Sequence, residues 1–227
     1  YLQVKGGMQP RAALPHMLLP ALKCMEKIGV SPNFSQDLPQ TIKLLEKISR
    51  ENQPGIAIGE NFAKKLANSL NGVMPVVYGF GLYRGVALRF KQQFNENAKT
   101  PAKWEYFSEL NHNETMGWES AREYAQCFSA IFIRDKTEPV EIQSRIEITK
   151  SLMQLNMPKM HEIWVQGENN LSKILSTILV GDFTSIYLAM LRNVNPTPVK
   201  TVDAMKAKIE QNGIKNKILK KLDQLAN

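Results

Sequence analysis

Apolar positions along the chain follow two textures. From Arg11 to Ile28 they recur at helical intervals (Leu14, Met17, Leu18, Ala21, Leu22, Met25) and stop at Gly29, which predicts a helix with those residues inward. Pro32 to Pro39 reads as a turn-rich connector, and Leu38 to Ile48 and Gly59 to Leu70 predict two further amphipathic helices, the second closing at Asn71-Gly72. Beyond Gly72 the texture changes. Val73 to Phe80 is a short apolar run bounded by glycines, the mark of a buried strand. A helix is predicted over Leu82 to Ala98, then strands over Lys103 to Glu109 and Cys127 to Arg134. Val140 to Leu155 reads as a helix, His161 to Gln166 as a strand, and Leu171 to Leu191 as a long helix. After the Asn195-Pro196-Thr197-Pro198 break, one final helix is expected from Thr201, with Met205, Ile209, Ile218, Leu222 and Leu225 as its apolar stripe.

Strands and helices alternate from Val73 onward, with links too long for hairpins. That pattern predicts an α/β fold with a parallel sheet covered on both faces. Sheets of this kind bind ligands beyond the carboxyl ends of their strands, and Asn111-His112-Asn113 follows the Lys103 strand at that end. The helices before Gly72 would form a connecting and covering layer. The Leu171–Leu191 stretch is interrupted by Lys173, Ser176, Gly181, Asp182 and Thr184, so it reads as a buried helix and no membrane partner is expected.

The 227 residues, 43% of them hydrophobic, suffice for one large or two small domains. The formal net charge of +8 raises the question of a polyanionic partner. Its lysine-rich segment, Lys200 to Lys221, contains no aromatic residue, and the lysines fall mainly opposite the apolar stripe. A solvated helix face is therefore expected rather than a nucleic-acid surface; the charge equally suits an anionic small molecule such as a sugar phosphate. Cys24 and Cys127 lie among apolar residues and read as reduced core thiols of a cytoplasmic protein. The chain begins with Tyr1 and carries no signal-type segment, so it is expected to be processed or a piece of something longer.

The densest polar stretch is Phe94-Asn95-Glu96-Asn97-Ala98-Lys99 together with Ser108-Glu109-Leu110-Asn111-His112-Asn113-Glu114-Thr115. Glu96, at a helix end, and His112, in the loop beyond the neighbouring strand, would suit proton transfer if they converge on one pocket. The alternative for His112 is a loop-capping hydrogen bonder. His16, His112 and His161 are far apart and lack the spacing of a metal site, so no metal and no cofactor is expected. No P-loop, GxGxxG or GxSxG motif is present.

Several blocks, in order, carry a resemblance: Gln9-Pro10-Arg11-Ala12-Ala13-Leu14, Asn95-Glu96-Asn97-Ala98-Lys99, Glu109-Leu110-Asn111-His112-Asn113-Glu114 with Gly117-Trp118-Glu119, Gly181-Asp182-Phe183-Thr184-Ser185, and Asn195-Pro196-Thr197-Pro198-Val199 with Met205-Lys206. In these the chain resembles the bifunctional phosphoglucose/phosphomannose isomerases, built from two sugar-isomerase (SIS) domains. The resemblance implies a three-layer α/β/α sandwich with a parallel, flavodoxin-like sheet. It assigns residues 1–10 to the remnant of a preceding SIS domain and 11–71 to interdomain helices. Residues 72–200 become a second SIS domain and 201–227 a C-terminal helix.

It also implies a homodimer and a metal-free aldose–ketose isomerisation. Glucose 6-phosphate, and mannose 6-phosphate, would convert to fructose 6-phosphate through a cis-enediol. Glu96 then matches the base that moves the proton between C2 and C1. His112 matches the ring-opening histidine supplied across the dimer, and Arg11 the arginine that stabilises the enediolate. The carboxy-terminal lysine of ring opening matches Lys206, with Lys208 as the alternative register. A partly buried carboxylate and a fixed guanidinium suit these roles. Without the resemblance, Arg11 would read as a helix-end charge and Lys206 as one more solvated lysine. Glu109 reads as a local cap or pair, and Glu114 as serving the N-terminus of the next helix.

One departure stands out. The family's Ser-x-Ser-Gly-x-Thr phosphate cluster has no counterpart here, since Ser176-Thr177 and Thr184-Ser185 fall inside a helix and read as internal hydrogen bonders. The isolated chain is therefore expected to turn over little substrate. A non-catalytic SIS module that senses a sugar phosphate is the alternative.

Overall fold

The computed structural model describes residues 3–120, 122–157 and 159–225. A 3-10 turn at Pro10–Ala12 leads into α1 (Leu14–Lys27), and another at Ser35–Asp37 into α2 (Leu38–Glu51). Then follow α3 (Phe62–Leu70), β1 (Met74–Phe80), α4 (Tyr83–Glu96), β2 (Lys103–Phe107), a 3-10 turn at Glu109–Asn111, α5 (Glu114–Gly117) and α6 (Arg122–Ala125). β3 (Phe128–Arg134), α7 (Val140–Met153), β4 (Met160–Trp164), α8 (Asn170–Leu191), α9 (Lys200–Gln211) and α10 (Ile214–Leu225) complete the order.

The four strands form one parallel sheet in the order β2-β1-β3-β4, with Val76 of β1 opposite Lys103 on one side and Ala130 on the other. This is the flavodoxin-like strand order. Adjacent residues of β1 show which helices cover which face. Gly79 points at α4, so closely that a Cβ there would lie 2.4 Å from the Tyr83 carbonyl oxygen. Its neighbour Tyr78 points the other way and donates from its hydroxyl to Glu114 of α5 at 3.1 Å. Side chains alternate across a strand, so α4 and α5 lie on opposite faces of the sheet.

On the α4 face, α8 packs against α2, α3 and α4. By length and composition α8 could cross a bilayer, but 56% of its most apolar stretch is buried inside this fold. Asn169 and Ser172 close a capping box at its start. Within it, Thr177 donates to the Lys173 carbonyl, Thr184 to Val180 and Ser185 to Asp182, and Ser176 donates to the Gln166 carbonyl before the helix at 2.8 Å and to Lys173 at 3.1 Å, so these hydroxyls are spent inside the fold as expected.

The structure of the layers differs from the sequence expectations in several places. The α1 stripe is covered only in part: Leu14, Leu18 and Leu22 are half-buried, but no α1 residue is fully buried and Met17 and Met25 are exposed. Cys24 and Cys127 are free but exposed, because Cys24 shares this partly covered helix and Cys127 lies in the turn before β3 rather than in the strand. The final helix is two: Gly213 adopts a left-handed φ of 66° between α9 and α10 and breaks the stripe. Within residues 1–10, read from the resemblance as the remnant of a preceding domain, residues 3–10 form no strand and residues 1 and 2 lie outside the described residues.

Candidate functional site

α4 ends at Glu96, and the chain reverses through Asn97 to Lys99, whose left-handed φ of 52° lets the Thr100 N–H reach back to the Phe94 carbonyl at 3.1 Å. This reversal brings the end of α4 against Arg11. The Arg11 guanidinium donates from Nε to Asn97 Oδ1 at 2.8 Å, and from Nη2 to the carbonyls of Pro196 at 2.8 Å and Thr197 at 2.7 Å. Its Nη1 stands 3.7 Å from Glu96 Oε2. The Arg11 side chain is only 8% exposed, whereas that of Glu96 is 46% exposed. The two charges therefore differ in freedom: Arg11 is fixed, and Glu96 faces open space. That space is a cavity of about 470 Å³ bounded by Asn95, Glu96 and Lys99 on one side and by the 194–202 segment on the other.

Behind Arg11 lies a supporting shell on α4 and α8. Asn97 donates to Ser185 Oγ at 2.9 Å, and Arg89 donates to the Arg11 carbonyl. Arg89 and Gln93 also reach Asp182, at 3.4 and 2.6 Å. Burial raises the Asp182 pKa, an effect partly opposed by Arg89 and Gln93. In front, Lys99 Nζ donates to the Glu96 carbonyl, to Pro198 at 2.8 Å and to Pro196 at 3.3 Å. Partial burial and the nearby Arg11 charge lower the Lys99 pKa, while Glu96 raises it.

Arg11 and Glu96 are thus brought together; His112 and Lys206 are not. His112 is exposed, in the segment that leads into α5 on the opposite face of the sheet from α4. The single-chain convergence of Glu96 and His112 expected from the sequence is not realised, because α4 and the β2–α5 segment cover different faces. Lys206 is exposed on α9 and lines a groove of about 460 Å³ toward α10. Lys208 is exposed on the same helix. Glu114 opens α5, but its carboxylate accepts from Tyr78 and pairs with Lys103 rather than capping the helix.

The crevice between the carboxyl ends of β1 and β3, where a fold of this class would hold a ligand, is filled from within. Asp135 there accepts from the Tyr83 hydroxyl, from Lys173 Nζ at 2.9 Å, and from the Thr137 N–H and hydroxyl at 2.8 and 2.9 Å. These donors outweigh the effect of burial and hold its pKa down at about 2. An open cavity lies instead beside Glu96, and another, of about 420 Å³, is lined by Arg11 and Asn97. Among the described residues no group of three or more His, Cys, Asp or Glu is placed to hold a metal.

Sequence reasoning missed Asn97, Lys99 and the Pro196–Pro198 carbonyls. One signal was available. The residues preceding Pro196 and Pro198 are biased toward extended backbone, and proline supplies no N–H, so a Pro-x-Pro loop leaves consecutive carbonyls for side-chain donors.

Fold and site together define a doubly wound α/β domain with a fixed guanidinium beside an accessible carboxylate. The family described as the bacterial phospho-glucose isomerase C-terminal SIS domain matches residues 59–209, and the chain belongs to it. It is 34% identical over 92% of its length to a bifunctional phosphoglucose/phosphomannose isomerase of Caldicellulosiruptor bescii, and 32% identical over 92% to one of Thermoplasma acidophilum. The chain spans 62% of the length of each of these relatives. Its fold matches a glucose-6-phosphate isomerase-like protein from Thermus thermophilus with a TM-score of 0.63 at 22% identity, over 76% of this chain and 57% of that one.

Proposed function

We propose that this chain supplies the proton-transfer half of a sugar-phosphate aldose–ketose isomerase, interconverting glucose 6-phosphate and mannose 6-phosphate with fructose 6-phosphate. The observation that carries this reading is the pairing of Glu96, on the wall of the cavity, with Arg11 across 3.7 Å. That separation exceeds hydrogen-bond distance. The carboxylate is therefore free to take a proton from C2 and return it to C1. The guanidinium, locked by Asn97, Pro196 and Thr197, stands ready beside the oxyanion of the enediolate. His112 of a second copy and Lys206 complete the site as the ring-opening groups. The substrate phosphate is held by residues outside this chain, a reading supported by the 62% coverage of the relatives and by the internal use of the α8 hydroxyls.

The test is Glu96→Gln in the chain expressed with its upstream sequence. Loss of isomerisation and of solvent-proton exchange at C2, with sugar-phosphate binding retained, is the expected result. Undiminished turnover by Glu96→Gln would sink the assignment. Binding without exchange in the unsubstituted protein would establish the sensing module instead.

A further inference from the structure

We propose that Lys99 is a positioning residue that holds the first turn of α9 at a fixed separation from Glu96 across the cavity. The inference rests on the isomerase reading for its functional consequence, and on geometry for the tie itself. Lys99 Nζ bridges two parts of the fold. One is the Glu96 carbonyl, a helix-end acceptor with no partner inside α4; the other is the carbonyl pair of Pro196 and Pro198. Arg11 shares the Pro196 carbonyl and takes that of Thr197, so three successive loop carbonyls are held by two cations, one from each side. Two residues beyond Pro198, α9 begins at Lys200. Lys200, Thr201 and Val202 form the cavity wall that faces Glu96.

The backbone of Lys99 argues that its side chain is the reason for its presence. Its φ of 52° lies in the left-handed region at the end of a helix, where glycine is favoured. A lysine there accepts backbone strain, and what it gains is the bridge. Without it, Arg11 alone would anchor the 196–198 loop. α9 would then move relative to Glu96, and with it Lys206, seven positions along from the start of α9 by inclusive count.

Lys99→Gly separates a positioning role from a merely structural one, because glycine relieves the strained backbone while deleting the bridge. In this chain, the expected result is an unchanged thermal midpoint with at least tenfold faster hydrogen exchange across residues 199–206. Unchanged exchange there would overturn the tie. In the chain expressed with its upstream sequence, kcat is expected to fall about ten- to a hundredfold with KM within about twofold, as misplaced catalytic geometry predicts. Lys99→Arg, which keeps a multi-donor cation, should recover most of kcat. A rise in KM at constant kcat, or equal losses in the glycine and arginine variants, would overturn the positioning role. Absence of turnover in the unsubstituted protein would sink the isomerase reading, and the exchange result would still decide the tie.

Discussion

Asp135 occupies the crevice where a doubly wound sheet ordinarily admits an anionic ligand, and it satisfies that crevice with its own carboxylate. Tyr83, Thr137 and Lys173 converge on it as they would on a bound anion. Its pKa is held at about 2, below the ordinary 3.8, so the charged form is favoured by folding. The stabilisation is fully present above about pH 4 and is lost as pH falls through about 2. It corresponds to about 2 kcal/mol. Urea titrations should accordingly show the stability gap between the unsubstituted chain and Asp135→Asn shrinking by that amount over this window; a pH-independent gap would contradict the assignment. None of this was legible in the sequence, since Tyr83, Asp135 and Lys173 belong to three separate segments that only the sheet topology brings together. Glu96 and Arg11 were legible only through the order of their motifs. Asn97 and Lys99 sat beside Glu96 in the same motif, yet their partners lie about a hundred positions on, at Ser185 and the Pro196–Pro198 loop.

At the scale of elements, the parallel order and nearly every strand and helix followed from periodicity, because buried strands and amphipathic helices carry their environment in their spacing. The failures share a cause. α1, α9 and α10 have apolar stripes that the chain covers only in part, α9 and α10 meeting each other, so spacing alone placed inward what the fold leaves exposed, at Met17, Met25, Met205, Ile209, Ile218 and Leu222. α8 is the opposite case, buried against three helices, and Gly181 is the point that permits its approach to α4. A Cβ at Gly181 would lie 2.4 Å from the ring of Phe90, itself 1% exposed. Gly181→Ala should therefore cost about 1–3 kcal/mol, the range for overpacking a tight core. Chemical denaturation would measure it, and Phe90→Leu in the same background should recover part of the loss. An alanine variant as stable as the parent would show that the α4–α8 contact yields more readily than this geometry allows.

For the whole molecule, the decisive fact is that the two proposed proton-handling groups lie on different faces of one sheet. Glu96 ends α4; His112 precedes α5 across the sheet. A single copy cannot bring them to one substrate without dismantling its own layers, so a site that uses both must draw them from two copies. Complementation tests this requirement directly. Glu96→Gln and His112→Ala proteins, each expressed with the upstream sequence, should each have little activity alone. In a mixed dimer, one site receives both substitutions and the other receives neither, because each site takes its glutamate and its histidine from different subunits. After random re-association, half of the dimers are mixed and each has one intact site of two, so activity should return to about a quarter of the unsubstituted level. If the histidine acted within its own subunit, every site in every dimer would carry one substitution and mixing would restore nothing. The size of the recovery thus reports which copy supplies His112, and the exposed faces of α1, α9 and α10 are the surfaces whose protection on assembly would show how the copies meet.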